Sequence, residues 1–482
     1  MLVIGFCLAL FAGIFFARRY PALSDFRWVL VCAVPAVACI RRHGYVALVC
    51  LVLAAFVLGW QRGSVYMQKL AVHESLHYQK VVLTGTATDD AVYGKRYQLE
   101  FALNNIEVMS PTRTPIIGNL TVRGFGEAAI YRGDRVQVSG KLYPTLGNNL
   151  GAISFGDLQV IERDSSVLND LRRRFAAGMQ SALPEPAASF ALGLLIGQRT
   201  TLPDDVDEQL RHVGLTHIIA VSGYNLTVIV MACRRLLAKR SKFQATATCL
   251  ALIAVFLLIT GSSPPIVRAS IISVLGIAAW YYGRDIKPIV LLLAGAAVTV
   301  IANPVYLWGN VSWYLSFLAF CGVLVLAPLI TKRIFGSREP TMLLGIMIET
   351  ICATVFVLPY VLYIFGETSL VSLPANLLVV PFIPLAMLLC LFAGLGGMLV
   401  PAIAGWLVWP ATVLLTYMLD AAALLSKVPK SYVEGIGFSG QFLTAAYGTM
   451  GVLMLILWHK TRSVAATTRA SLSTNNQIKR EP

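Results

Sequence analysis

Apolar and polar positions divide the chain into three kinds of text. The first sixty residues hold three apolar runs, near residues 2–17, 28–40 and 45–60. From about Gln61 to Arg163 these give way to KVVLTGTATDD, KRYQLEFALNNIEV, GNLTVRGF, DRVQVSGKLYP and GDLQVIE, short β-rich runs separated by Gly and Asn turns. Alternation with period two is clearest from Arg135 to Leu142. Long apolar runs then return and predict spans near residues 217–233, 245–260, 265–282, 288–303, 311–330, 341–364, 370–395, 402–425 and 441–458, because a helix needs about 20 residues to cross a bilayer.

The pattern predicts a polytopic α-helical membrane protein with an inserted small all-β extracellular barrel. Five or so strands in about a hundred residues suit a small closed barrel, OB-like first and SH3-like second. The expected organisation is N-terminal transmembrane helices over 1–60, the barrel over 61–163, amphipathic or interfacial helices over 164–215, a transmembrane core over 216–460 and a basic tail over 461–482. The first run lacks a small-residue cleavage site followed by a polar start, so it reads as a retained helix. The second is short, contains Pro35, and reads as tilted or re-entrant. In the third segment Leu168, Leu171, Phe175 and Met179 recur at helical spacing beside Arg172, Arg173 and Arg174, the mark of a helix lying on a membrane surface. PEPAASFALGLLIGQ is too short to span and reads as interfacial or re-entrant. TTLPDDVDEQLRHVGL reads as a short capped helix, with Pro203 and acids at its start and Gly214 at its end.

Composition agrees: 57% of residues are hydrophobic and 13% charged, against roughly 25% charged in a soluble domain. The nine cysteines all lie in apolar segments and none falls between residues 51 and 232, so they read as small buried hydrophobes. The net charge of +15 is concentrated in loops. Arg234, Arg235, Lys239, Arg240 and Lys242 follow one span; Arg284 and Lys287, then Lys332, Arg333 and Arg338, follow others; GSSPP, NPVYLWGN and GETS carry no Lys or Arg. Positive loops stay inside, which puts the tail in the cytoplasm and the barrel outside. Arg18, Arg19 and Arg27 disagree if all three N-terminal runs span, as do Lys427 and Lys430 further on.

Chemistry is sparse. In THIIAVSGYNLT, His217, Ser222, Gly223, Tyr224 and Asn225 fall at bilayer depth, and Pro374, Pro381 and Pro384 interrupt SLPANLLVVPFIPLAM. Lipid cannot satisfy broken backbone, so such segments face protein or a wet path. Arg268 lies near one end of its span and reads equally as a snorkelling side chain or a functional cation, while Glu349 and Asp420 read as a buried polar pair. On the barrel, Tyr93, Lys95, Arg96, Tyr97 and Phe101 interleave aromatic and basic groups, as do Arg123, Phe125, Tyr131, Arg132 and Arg135, the arrangement a single nucleic-acid strand favours. The plainer reading puts Phe101 and Phe125 in the barrel core, and the barrel's acids nearly balance its bases. His73 and His77, four apart, read as a solvated helix rather than a metal site. No G-x-x-x-x-G-K-[ST] loop occurs. These features fit a conduit, a secondary transporter for a small polar solute, a serine-based intramembrane hydrolase built on Ser222 and His217, or an assembly scaffold without a pore.

AVSGYNL resembles the A-[IV]-S-G-x-[HN]-[VIL] signature of the ComEC family of DNA-uptake channels. ALGLLIGQRTTLPDDVDEQLRHVGLTHIIAVSGYN is similar to that family's approach to the signature, PPIVRASIISVL to its P-x-x-R-A helix, NPVYLWGNVSWYLSFLAFCGV to its N-P-x-x-L…LSF-x-A helix, and PANLLVVPFIPLAM to its A-N-L-x-x-x-P element. The resemblance covers roughly residues 170–425. It implies a multi-pass plasma- or inner-membrane channel carrying single-stranded DNA inward during natural transformation, with a path including His217, Ser222, Gly223, Tyr224, Asn225, Arg268 and Ser316. It implies barrel contacts from Lys95, Arg96, Tyr97, Arg123, Arg132 and Arg135, and no catalytic residue, metal or cofactor. The partners it implies are DNA, membrane lipid, a membrane-anchored DNA receptor and pilus outside, and a helicase or ATPase and single-strand-binding recombination proteins inside. Two positions depart from the pattern: Asn225 stands where many members carry His, and Tyr314 where Gln is frequent. Many members end in a metallo-β-lactamase-like nuclease domain whose His-x-His-x-Asp-His cluster this chain does not contain, so a short form is expected.

Overall fold

The computed structural model describes residues 2–23, 25–39, 44–94, 97–145, 151–198, 202–219, 226, 229–230, 233–234, 236–237, 239–260, 264–284, 286–336, 338, 340–399 and 404–478. They form two compact units: Met1–Asp207 with Thr216–Trp313 and Pro384–Tyr417, and Glu208–Leu215 with Tyr314–Ile383 and Met418–Pro482. Among the described residues seven helices are long and apolar enough to cross a membrane: Leu2–Arg19, Tyr45–Glu74, Val311–Phe335, Leu344–Phe365, Ser372–Leu399, Val408–Ser426 and Gly440–Lys460. Lys242–Leu258, Ile266–Tyr281 and Pro288–Ala302 are shorter apolar helices.

The first unit opens with α1 (Leu2–Arg19), α2 (Arg27–Cys39) and α3 (Gly44–Glu74). At 13 residues α2 is only about 20 Å long, short of a bilayer crossing. A Cβ on Gly13 would strike the Phe56 carbonyl, one on Gly59 the Leu10 carbonyl and one on Gly63 the Ala17 side chain, so α1 and α3 touch backbone to backbone. Small residues serve membrane helices in this way because burial from lipid supplies no hydrophobic drive and close van der Waals approach must replace it. Helix α3 continues 31 residues to Glu74, well past Gln61, and the first strand begins at Lys80. His73 therefore ends a helix packed near the sheet and is 1% exposed, its ring 5.1 Å from that of His77. The expectation of a solvated histidine pair is corrected.

Seven strands make up the inserted domain: β1 (Lys80–Ala87), β2 (Val92–Tyr93), β3 (Leu99–Ser110), β4 (Thr114–Ile116), β5 (Leu120–Phe125), β6 (Arg135–Tyr143) and β7 (Gly151–Glu162). Their order is β1-β6-β7-β5-β3-β2, with β4 on β3, a further β1–β3 pairing, and one parallel pair, β5–β7. The β1–β3 pairing joins the two ends of this order, so the five long strands β1, β6, β7, β5 and β3 pair in a ring; β2 and β4 are short additions, and register shifts interrupt β1–β3, β5–β7 and β6–β7. Alternation still sorts the faces. In β3 Leu99, Phe101 and Leu103 point inward and join Val122, Val138, Leu142 and Ile153 in one core. Phe125 does not join them. The inward position before it is Gly124, whose α-carbon abuts the Gly156 carbonyl, and the next alternation turns Phe125 outward, where it is 45% exposed.

Helix α4 (Val167–Ala182) carries Phe175, Gly178 and Met179 on one face. That face lies on α-helical residues Ile383–Leu399: a Cβ on Gly394 would meet the Phe175 ring and one on Gly397 the Gly178 carbonyl. Protein covers the Phe175–Met179 end of the apolar stripe, while Leu171 toward its start is 47% exposed. Helix α5 (Ala187–Ile196) is buried at every residue but Leu195, so of the two expected placements it fits the re-entrant one, enclosed by protein. Gly214 (φ +76°) ends the short helix α6 (Asp204–His212), whose first turn holds Asp204, Asp205 and Asp207 and whose last holds Arg211 and His212, each charge matched to the helix dipole. The prolines of SLPANLLVVPFIPLAM produce a single 3-10 turn, Val380–Phe382, between Ser372–Val379 and Ile383–Leu399.

Because α4 meets its partner helix through glycine, side-chain volume at that crossing has nowhere to go. Gly397→Val is expected to lower stability by about 1–3 kcal/mol, while Gly448→Val, which has nothing within 4 Å of its Cβ position, leaves it unchanged. Detergent melting curves of the two purified variants check this.

Candidate functional site

Polar side chains inside the apolar helices of the first unit converge on one place. Arg268 sits on helix Pro264–Tyr281 and is 0% exposed. It does not reach out to water. Its Nη2 donates to the Ser312 carbonyl at 2.8 Å. Ser312 belongs to the first turn of helix Val311–Cys321, which begins after buried Asn310, whose Oδ1 accepts the Trp313 backbone N–H at 2.7 Å. The Trp313 indole then donates to Thr299 Oγ1 at 3.0 Å, and that hydroxyl donates to the Ala296 carbonyl at 2.8 Å. A guanidinium withdrawn from water must recover hydrogen bonds inside the protein, and a backbone carbonyl is a suitable acceptor.

The turn beside this network is tied down by the N-terminal helices. Arg62 donates to the Ile301 carbonyl from Nε at 3.1 Å and from Nη2 at 3.0 Å, and the Trp308 indole donates to the Ile14 carbonyl at 3.2 Å. Each interaction spans more than 200 residues of sequence, and neither Arg62 nor Trp308 carries a pattern that announces it.

The other expected path residues are distributed as follows. His217 lies on the four-residue helix Thr216–Ile219 and is exposed, whereas Ile218 and Ile219 beside it are buried. Ser222, Gly223, Tyr224 and Asn225 lie outside the described residues. Ser316 is half-buried in the second unit. There Tyr314 lies 5.3 Å from the ring of Tyr360, and the Tyr447 hydroxyl donates to the Phe356 carbonyl at 2.9 Å. Asn376, in the PANLL element, is 7% exposed inside an apolar helix, a buried amide that the sequence reading did not single out.

On the sheet, Lys95 and Arg96 lie outside the described residues. Tyr97 is 86% exposed at a left-handed turn (φ +57°). Arg123 Nη2 donates to Glu100 Oε1 at 2.7 Å across β5 and β3, Arg132 is half-buried with its backbone N–H on Asp90 Oδ1, and Arg135 is exposed at the start of β6. Arg123 and Arg135 are on strands separated by β7, so among the described residues these two cations do not share one patch. Tyr131, by contrast, has the guanidinium carbons of Arg163 and Arg173 each 5.8 Å from its ring centroid, a cation–π contact that joins sheet to α4.

A clasp in the second unit secures α6. Arg211 binds Glu367 through two bonds, 2.6 and 3.3 Å, and His212 stacks on Tyr432 at 4.7 Å. Partial burial pulls the Glu367 carboxyl upward, but the bidentate Arg211 guanidinium outweighs it and holds the group below its ordinary value. A depressed carboxyl contributes stability above the usual carboxylate range and loses it as pH falls through its own lowered value. Glu367→Gln is therefore expected to cost about 1 kcal/mol near neutral pH, and its melting point and that of the wild type should converge as the solution is acidified below the carboxylate range. Thermal melts of both proteins across pH check the sign.

Comparison with known proteins places this geometry. The chain is 24% identical over 214 residues to "ComE operon protein 3" of Bacillus subtilis (strain 168), covering 44% of this chain and 27% of that protein. It is 24% identical over 372 residues to "Competence protein ComA" of Neisseria gonorrhoeae, covering 72% of this chain and 50% of that protein. The chain thus spans about a quarter of one relative and half of the other. No solved structure matches it. The family model described as "Competence protein" matches residues 194–461, more than half of the 482 residues and all of the Arg268 network, and on that evidence the chain belongs to the competence protein family.

Proposed function

We propose that this chain is a multi-pass membrane conduit that takes one strand of DNA into the cytoplasm during natural transformation. The observation that carries the reading is a fully buried arginine, Arg268, within the segment matched by the competence family. A charge kept at that depth in an apolar helix is costly and marks a path for a hydrophilic passenger, and a phosphodiester strand is the passenger a guanidinium suits. Ser316 and the THIIAVSGYN element are the further path residues that the family resemblance implies. No bond is made or broken by the chain itself, so energy and nuclease activity come from partners: a receptor and pilus outside, a helicase or ATPase and strand-binding recombination proteins inside.

Orientation follows from the basic loops, which put the sheet on the outer side and the tail on the inner side of the plasma or inner membrane. In a background lacking the native cysteines, Met109→Cys on the sheet is expected to react with a membrane-impermeant maleimide on intact spheroplasts, and Thr467→Cys in the tail only after lysis; the reverse labelling removes the assignment.

Uptake of labelled DNA tests the path. Arg268→Ala is expected to reduce transformation by ~10-fold or more at normal membrane abundance, and Arg268→Lys to restore only part, because a point charge cannot reproduce the planar fork. Unchanged transformation with Arg268→Ala rejects this arginine as a path residue.

A further inference from the structure

The end of the Arg268 helix remote from that residue gathers positive charge that the DNA path does not use. Helix Lys242–Thr260 is joined by a short loop to helix Pro264–Tyr281, and the two pack side by side, as Pro264–Tyr281 does with Pro288–Ala302. Lys242, Tyr281 and Pro288 therefore lie at one end of the three helices. Arg234, Lys239 and Arg240 precede Lys242, and Arg284 and Lys287 follow Tyr281. Gly283 (φ +63°) ends the middle helix, and the Arg284 backbone N–H returns to the Ala279 carbonyl at 2.9 Å, which fixes where Arg284 emerges.

Little compensates this charge. Between Arg234 and Pro288 the sequence holds one acid, Asp285, which lies outside the described residues. Among the described residues no carboxylate forms an ion pair with any of the six cations. Two of them also stand where a helix repels them. Lys242 opens its helix and Lys287 directly precedes Pro288, each at the positive end of a helix dipole with no acid in the first turn. Arg234 is held differently: it is half-buried, its guanidinium carbon 4.5 Å from the Trp280 ring centroid. The indole takes one face of the planar cation, and a phosphodiester binds such a cation at its edge, through the N–H groups.

Apolar surface begins where the cations end. Phe243, Ala247, Leu250, Ala254 and Leu258 recur at helical spacing and all are exposed, Phe243 at 69% and Leu258 at 55%. They form a stripe that runs from Lys242 along one side of its helix. Beside Trp280, the Tyr281 and Tyr282 rings meet edge-on at 5.3 Å, and such aromatic groups sit at headgroup level in membrane proteins.

We propose that this helix end is a binding site for an anionic phospholipid, with the headgroup phosphodiester among Arg234, Lys242 and Arg284 and an acyl chain along the Phe243–Leu258 stripe. A lipid meets both halves of the surface. A soluble phosphate leaves the stripe uncovered, and a nucleic-acid strand has no chain to lay along it. The site needs only that these helices lie in a membrane, and so stands apart from the DNA-uptake reading.

The full-length protein in nanodiscs of equal parts phosphatidylcholine and phosphatidylglycerol tests this, with the lipids retained on release counted by native mass spectrometry. The wild type is expected to retain phosphatidylglycerol in preference to phosphatidylcholine. Arg234→Gln and Arg284→Gln should each lower that preference about fivefold, the effect of one cation at a membrane surface. Lys332→Gln, an exposed cation on helix Ala327–Phe335, should leave it unchanged. Melting points equal to the wild type in discs of phosphatidylcholine alone show that the variants are folded. Absence of a preference in the wild type, or a preference that survives both arginine substitutions, overturns the site. A loss as large with Lys332→Gln as with Arg234→Gln also overturns it, because attraction is then diffuse. Displacement of the retained lipid by inorganic phosphate reassigns the cations to a free anion, and displacement by a single-stranded oligonucleotide reassigns them to DNA; either result rejects the lipid.

Discussion

A guanidinium withdrawn from water is the constraint around which the first unit is arranged. Arg268 can stay at 0% exposure only if its hydrogen bonds are recovered locally, and the acceptor at 2.8 Å is the Ser312 carbonyl. That demand fixes where helix Val311–Cys321 begins relative to helix Pro264–Tyr281. Asn310 caps the same turn and Trp313 reaches Thr299, so one charge organises a polar cluster from three helices. Arg62 and Trp308 extend the same logic outward, with long side chains from one segment satisfying carbonyls of another. Apolar surroundings make each such contact stronger and each omission more costly.

Glycine does the complementary task. Helices that share an apolar solvent gain little from hiding hydrophobic area, and so they gain attraction by approaching closely. Gly13, Gly59 and Gly63 bring α1 against α3; Gly178, Gly394 and Gly397 bring α4 against its partner. In the second unit Gly322 lies against the Cys352 carbonyl at a π-helical turn, Gly322–Leu326. Through α4 the sheet is joined to a membrane helix: Arg173 on α4 lies over Tyr131 of the sheet domain, and the glycine crossing packs α4 on Ile383–Leu399. A strut of this kind gives an inserted domain a defined position without a large apolar interface.

Much of the architecture was legible along the chain. Alternation with period two located the β region, and its inward positions Leu99, Phe101 and Leu103 are buried. The acids, bases and terminal glycine of residues 204–214 delimited α6 closely, because caps and dipole complementarity are local. Arg268 stood out because a cation in an apolar run is conspicuous wherever it points. Phe125 was misplaced because alternation alone cannot register that Gly124 yields its inward position to a neighbouring backbone. Phe155 was missed because a bulge breaks period two, and His73 was misjudged because a helix longer than its apolar run carried it against the sheet.

By itself, then, the sequence determined what depends on neighbours in the chain: a membrane class from apolar runs, strands from alternation, helix ends from caps, and competence-family membership from short motifs around AVSGYN and PPIVRA. Tertiary structure alone decided what depends on distance between segments. It packed the Phe175–Met179 end of α4 on another helix, enclosed α5 in protein, gave Arg268 its carbonyl rather than water, and assembled Tyr143, Phe155 and Phe125 on one face. The physical reason is the same in each case. Burial, hydrogen-bond satisfaction and backbone contact are properties of pairs, and the second member of each pair lies too far along the chain for any local pattern to reveal it.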